Sequence, residues 1–120
     1  MTIFKKCEYS GLDQTYTLWT DDFGVSFDMS DGAQPLYIYL VNSSGNAGYG
    51  EKVYGHKLQE DQYKYLCKEI GHTGTKAELD AINKVVADII MNRISPKSHL
   101  ERLKSTRSHE KSRSSGSLEP

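Results

Sequence analysis

The sequence predicts an α+β domain: a small antiparallel sheet of three or four strands with two C-terminal helices packed on one face, followed by a disordered tail. Three observations carry this. Between residues 14 and 41 apolar and polar residues alternate with a period of two, interrupted by turn residues. From Leu58 the apolar spacing changes to three and four. Beyond Pro96 only Leu100, Leu103 and Leu118 are aliphatic in 24 residues, too few to offset the ordering entropy of that stretch.

The first strand is expected over residues 14–20, where Tyr16 and Leu18 alternate with Thr15 and Thr17 and Trp19 follows. Asp21-Asp22-Phe23-Gly24 is turn chemistry, and Val25-Ser26-Phe27-Asp28-Met29 alternates again, so the pair reads as a β-hairpin. After a second turn signal at Ser30-Asp31-Gly32, residues 35–41 form the strongest strand, with Leu36, Ile38 and Leu40 on one face and Tyr37, Tyr39 and Val41 on the other. Both faces being apolar or aromatic, this strand is expected centrally, its tyrosine face partly covered or offered to a partner. Residues 42–50 carry three glycines without periodicity and read as the most mobile internal loop, and residues 51–56 as a short edge strand limited by Gly50 and Gly55.

A helix is predicted over 59–70, closed by Gly71 in the position that favours left-handed backbone. The next opens with Thr75 and Glu78 in a capping-box spacing. Its apolar stripe of Leu79, Ile82, Val85, Val86, Ile89, Ile90 and Ile94 makes it the hydrophobic anchor, and it is expected to end before Pro96. The domain organisation is therefore a single domain over 1–95 and a Ser/Lys/Arg-rich tail over 96–120, in which Leu100 and Leu103 extend a helix over 99–104 only when a partner is present.

At 120 residues one core is expected, burying about two-thirds of the unfolded surface. A mean hydropathy of −0.62 is low for a compact chain and fits a polar tail. The longest dense apolar stretch, Val85 to Met91, contains Asp88 and is far short of a membrane span, so no membrane partner is expected. The basic pair Lys5-Lys6 is followed by no apolar run, so a secretory signal is not expected and the compartment is read as cytoplasmic. Cys7 and Cys67 fit no metal-ligand or CxxC spacing and read as buried free thiols. The charge balance of 15 basic and 16 acidic residues hides a division: residues 1–95 hold nine against 13, a net of −4, and residues 96–120 six against three, a net of +3.

No motif announces catalysis, and neither an enzyme, a cofactor nor a metal site is expected. Gly45, Gly48, Gly50 and Gly55 form no phosphate-loop pattern. His56, His72, His99 and His109 never pair at helical spacing, and a nucleophilic pair of His56 or His72 with Cys7 or Cys67 would need geometry that sequence does not supply. Asp21, Asp22 and Asp31 fall in turns and Glu60-Asp61 in a first helical turn, where structural roles explain them.

Eight tyrosines favour binding over catalysis, since tyrosine joins an apolar ring to a polar tip. The expected partner-binding residues are Tyr37 and Tyr39 on the third strand and Tyr49 and Tyr54 around the loop, each weighed against ordinary packing. The leading reading is a small protein-binding module that inhibits or modulates another protein; its size and lack of motifs suit a phage or mobile-element protein acting on a host or defence protein. The alternative is an accessory nucleic-acid binder using Lys97, Arg102, Lys104, Arg107, Lys111 and Arg113, although a net of +3 over 25 residues without stacking aromatics is weak for that purpose. A second copy would cover the tyrosine face as well as a target, so dimerisation stays open.

Overall fold

Residues 3–30 and 36–104 are described by a computed structural model. Five strands, β1 (Lys6–Ser10), β2 (Thr15–Trp19), β3 (Phe23–Asp28), β4 (Leu36–Asn42) and β5 (Glu51–Val53), form one antiparallel sheet in the order of the chain. The predicted hairpin is β2–β3. Its turn is closed by the Thr20 hydroxyl, which accepts hydrogen bonds from the Asp22 and Phe23 amides at 3.1 and 3.0 Å. The strand predicted over 35–41 is β4, and β5 is shorter than predicted, Gly55 turning the chain at φ 69°.

β1 adds a strand to the sheet that was expected. Lys-Cys-Glu-Tyr-Ser is an edge strand in which only Cys7 and Tyr9 alternate with polar residues, and it is held by pairing Cys7 with Leu18 and Tyr9 with Tyr16. Across the sheet, Leu18, Val25 and Leu40 form one row and Phe27 and Ile38 the next, all five fully buried. A one-residue slip would turn this whole set outward, so the apolar alternation fixes the register.

The helices cover that apolar face. The α1 helix (Glu60–Ile70) packs on β4 and ends at Gly71, whose φ of 72° lets its amide turn back to Lys68 O at 3.2 Å. The α2 helix (Lys76–Met91) begins with the predicted capping box: Glu78 N donates to Thr75 Oγ1 at 3.2 Å, and Thr75 N donates to Glu78 Oε1 at 2.9 Å. Its buried Leu79, Ile82, Val85, Val86 and Ile89 each contribute about 1.5–3 kcal/mol of apolar burial.

Two expectations change at the C-terminal side. Helix α2 stops at Met91 rather than running to Pro96, because Arg93 adopts φ 56° and Ile94 N turns back to Asp88 O at 2.9 Å. Residues 96–104, expected to begin the tail, instead form a third helix, α3, on the folded unit. Ser95 caps it, its Oγ accepting from Ser98 N at 3.1 Å, and Pro96 occupies the first turn, where its missing N–H costs nothing. Pro96, His99 and Leu100 are buried, and His99 Nδ1 lies 2.6 Å from Asp88 Oδ2. The folded unit therefore extends past residue 95 at least to residue 104. The remainder of the expected tail, 105–120, and the turn at 31–35 lie outside the described residues. Among the described residues no helix is long and apolar enough to cross a membrane.

Candidate functional site

Strand alternation places every second residue on the face turned away from the helices. There the register sets Lys6, Trp19, Gly24 and Val41 in one row; Glu8, Thr17, Ser26 and Tyr39 in a second; and Ser10, Thr15, Asp28, Tyr37 and Lys52 in a third. Among the described residues no helix lies over this face.

Trp19 is seated on it by its neighbours. A Cβ built at Gly24 would meet Trp19 Cε3 and Thr17 Cγ2, both at 2.9 Å, so only glycine opposite Trp19 lets the indole lie flat on the sheet. Its Nε1 donates to Glu8 Oε1 at 2.8 Å, and Lys6 Nζ lies 3.6 Å from Glu8 Oε2. Beside it the Thr17 and Ser26 hydroxyls meet at 2.7 Å, and Ser26 is fully buried although it faces away from the helices. An indole fixed in one pose, with half-exposed Tyr37, Tyr39 and Val41 alongside, loses little side-chain entropy on contact.

Tyr37 and Tyr39 thus share one surface, as expected from the sequence. Tyr54 borders it, the Lys52 ammonium lying 5.8 Å from its ring centroid. Tyr49 is separated from them. It lies on the α1 side, near enough to Tyr65 to affect its phenol, which the charge of Glu69 holds above its ordinary pKa. The loop carrying Tyr49 is knitted by Asn42, whose Oδ1 accepts from the Ser44 and Asn46 amides at 3.0 Å, and Gly48 packs against Glu69 Cβ.

The sequence reading missed Trp19, Glu8 and Gly24. The signal was present in the parity of the first predicted strand, where Trp19 falls with Thr15 and Thr17 and opposite Tyr16 and Leu18. An indole on a polar strand face is an anchor that stays only half-buried.

The cations of the alternative reading have local engagements. Lys104 Nζ donates to Lys5 O at 3.2 Å, Arg102 lies near enough to Asp88 to stabilise its charge, and Lys97 only partly offsets the burial that holds the Cys7 thiol above its ordinary pKa. Arg107, Lys111 and Arg113 lie outside the described residues.

A second polar cluster joins the helices. Glu78 Oε1 accepts from Tyr63 Oη at 2.8 Å and sits 3.1 Å from His72 Nε2, while the His72 ring stacks on Phe23 with centroids 4.3 Å apart. Burial raises the Glu78 carboxyl, but the hydrogen bonds from His72, Tyr63 and the Thr75 amide outweigh it and hold the group below its ordinary pKa. Asp88 behaves alike: burial raises it, and the bonds to His99 and Asn92 pull it below its ordinary value. Burial pushes the Tyr63 phenol and the Cys67 thiol upward, so Cys67 is protonated at neutral pH. His56 is exposed and takes no part in this cluster. Among the described residues no three His, Cys, Asp or Glu side chains are grouped to hold a metal ion.

The chain matches no protein-family model, no curated protein and no solved structure. What it does has to be read from its own side chains.

Proposed function

We propose that this protein is a non-catalytic binding module that docks on another protein through the open face of its sheet and thereby inhibits or modulates it. The observation that carries this is the Trp19 indole, held flat by Gly24 and Glu8, with Tyr37, Tyr39 and Val41 continuing the surface. Tryptophan and tyrosine in such settings dominate binding energy, one anchor being worth about 2 kcal/mol or more, roughly thirtyfold in affinity.

The open face itself is balanced in charge, with Lys6 and Lys52 against Glu8 and Asp28, a net of zero. The indole rather than the field marks the contact, and an arginine or an apolar side chain of the partner stacked on it suits this surface.

Hydroxyl-radical footprinting of full-length protein, free and with the partner recovered from the source lysate after nuclease treatment, tests the proposal. Oxidation of Trp19, Tyr37 and Tyr39 should fall together while Tyr49 and Tyr65 stay reactive, and Tyr39→Glu should abolish recovery. Protection of the helix side alone, or recovery of nucleic acid in place of a protein, would overturn it. Protection of the same face by a second copy would assign it to homodimerisation instead.

A further inference from the structure

On the opposite side of the molecule, α1, the 71–75 segment and the first turns of α2 enclose a cleft of about 610 Å³. We propose that this cleft binds a small amphipathic organic anion, with an apolar body on its floor and a carboxylate, phosphate or sulfonate head at its rim.

The volume lies within the range of about 300–1,000 Å³ usual for small-molecule sites. The floor is apolar and structurally fixed: Tyr63, Cys67 and Leu79 are 3%, 2% and 8% exposed. Gly74 keeps the wall thin there, since a Cβ at that position would meet Cys67 Sγ at 2.6 Å and Tyr63 Cε2 at 2.7 Å. Around the mouth stand Lys57, Lys64, Lys68 and Lys76 against Glu60 and Asp80, a net of +2. Lys64 reaches Glu60 at 3.6 Å and Lys76 reaches Asp80 at 3.8 Å, as exposed neighbours one helical turn apart, which are weak pairs that a ligand displaces at little cost. Among the described residues no carboxylate lies within ion-pair distance of Lys57 or Lys68, which leaves two cations for the incoming anion.

The cleft shares no residue with the open sheet face, so it stands whether or not that face binds a protein. Its volume holds a molecule of one ring or a short aliphatic chain.

Titration of ¹⁵N-labelled full-length protein with phenyl phosphate, benzoate and the uncharged benzyl alcohol tests this directly. Both anions should give saturable shifts at the amides of Cys67, His72, Gly74 and Leu79, and benzyl alcohol should bind at least about tenfold more weakly. The paired change Lys57→Glu with Lys68→Glu should weaken the anions by about tenfold or more while the spectrum stays dispersed. Should those variants fold poorly, raising salt on the unaltered protein should weaken the anions and leave benzyl alcohol unchanged. Anion shifts that fail to saturate or that fall outside the cleft would overturn the proposal. Equal affinities for charged and uncharged probes would do the same.

Discussion

Replacing Gly74 by alanine places a methyl carbon 2.6 Å from Cys67 Sγ and 2.7 Å from Tyr63 Cε2. Neither neighbour can yield easily. Cys67 is buried on α1, and the Tyr63 ring is anchored by its 2.8 Å bond to Glu78. Two opposing terms set the sign. Gly74 is not among the positive-φ residues, so alanine carries no backbone strain and gains about 0.4–1 kcal/mol by restricting the unfolded chain. Overpacking costs about 1–3 kcal/mol, and it wins. The net loss of about 1–2 kcal/mol lowers the melting midpoint by roughly 5–15 °C for a unit of this size.

Thermal and urea unfolding followed by circular dichroism measures this. Gly50→Ala is the control, because its added carbon meets only Ile38 O, at 3.5 Å, and should shift the midpoint by no more than about 0.5 kcal/mol. In a Cys67→Ala background the cost of Gly74→Ala should fall by about half, as one of two clashes is gone. A Gly74→Ala protein as stable as the parent would refute the packing described for the α1–α2 junction.

Packing, ion pairing and the seat of Trp19 each give a further outcome. Leu100→Ala should cost about 2–5 kcal/mol because Leu100 is part of the core, whereas an α3 detached from the domain would make the change silent in unfolding assays. Glu78 and Asp88 have folded pKa values below their unfolded ones, so their contribution to stability is complete above about pH 4.5 and is lost as pH falls through the folded values. Urea midpoints taken from about pH 6 down to pH 3 should therefore fall, and Glu78→Gln should flatten that fall. Gly24→Ala should displace the indole and change the Trp19 emission, the only tryptophan signal in the chain; unchanged emission would show that the indole does not rest on Gly24.

The elements with strong periodicity were legible in the sequence, and those built from tertiary pairing were not. The β2–β3 hairpin, β4 and the α2 cap carry their signals locally: alternation, turn aspartates, and Thr75 three residues before Glu78. β1 carries a short one, Cys7 and Tyr9 alternating with Lys6, Glu8 and Ser10, which two apolar positions make weak until the strand pairs with the edge of β2. The C-terminal boundary is not legible locally, because Pro96 reads as a stop. Preceded by Ser95, a proline opens a helix equally well, and Leu100 and His99 at the following positions supply the buried side. Tyr37 and Tyr39 were identifiable from their parity on one strand. The seat of Trp19 was less so, because beyond its parity it depends on Gly24 of the neighbouring strand and on Glu8 of a strand whose local pattern is short.

The most direct measurement of the docking claim is photo-crosslinking in the source cells, with a photo-reactive phenylalanine introduced at Val41 on the open face or at Lys84, exposed on α2. A discrete protein adduct is expected from position 41 and none from position 84. An adduct formed only from position 84, or irradiated samples in which position 41 joins no protein, would contradict it.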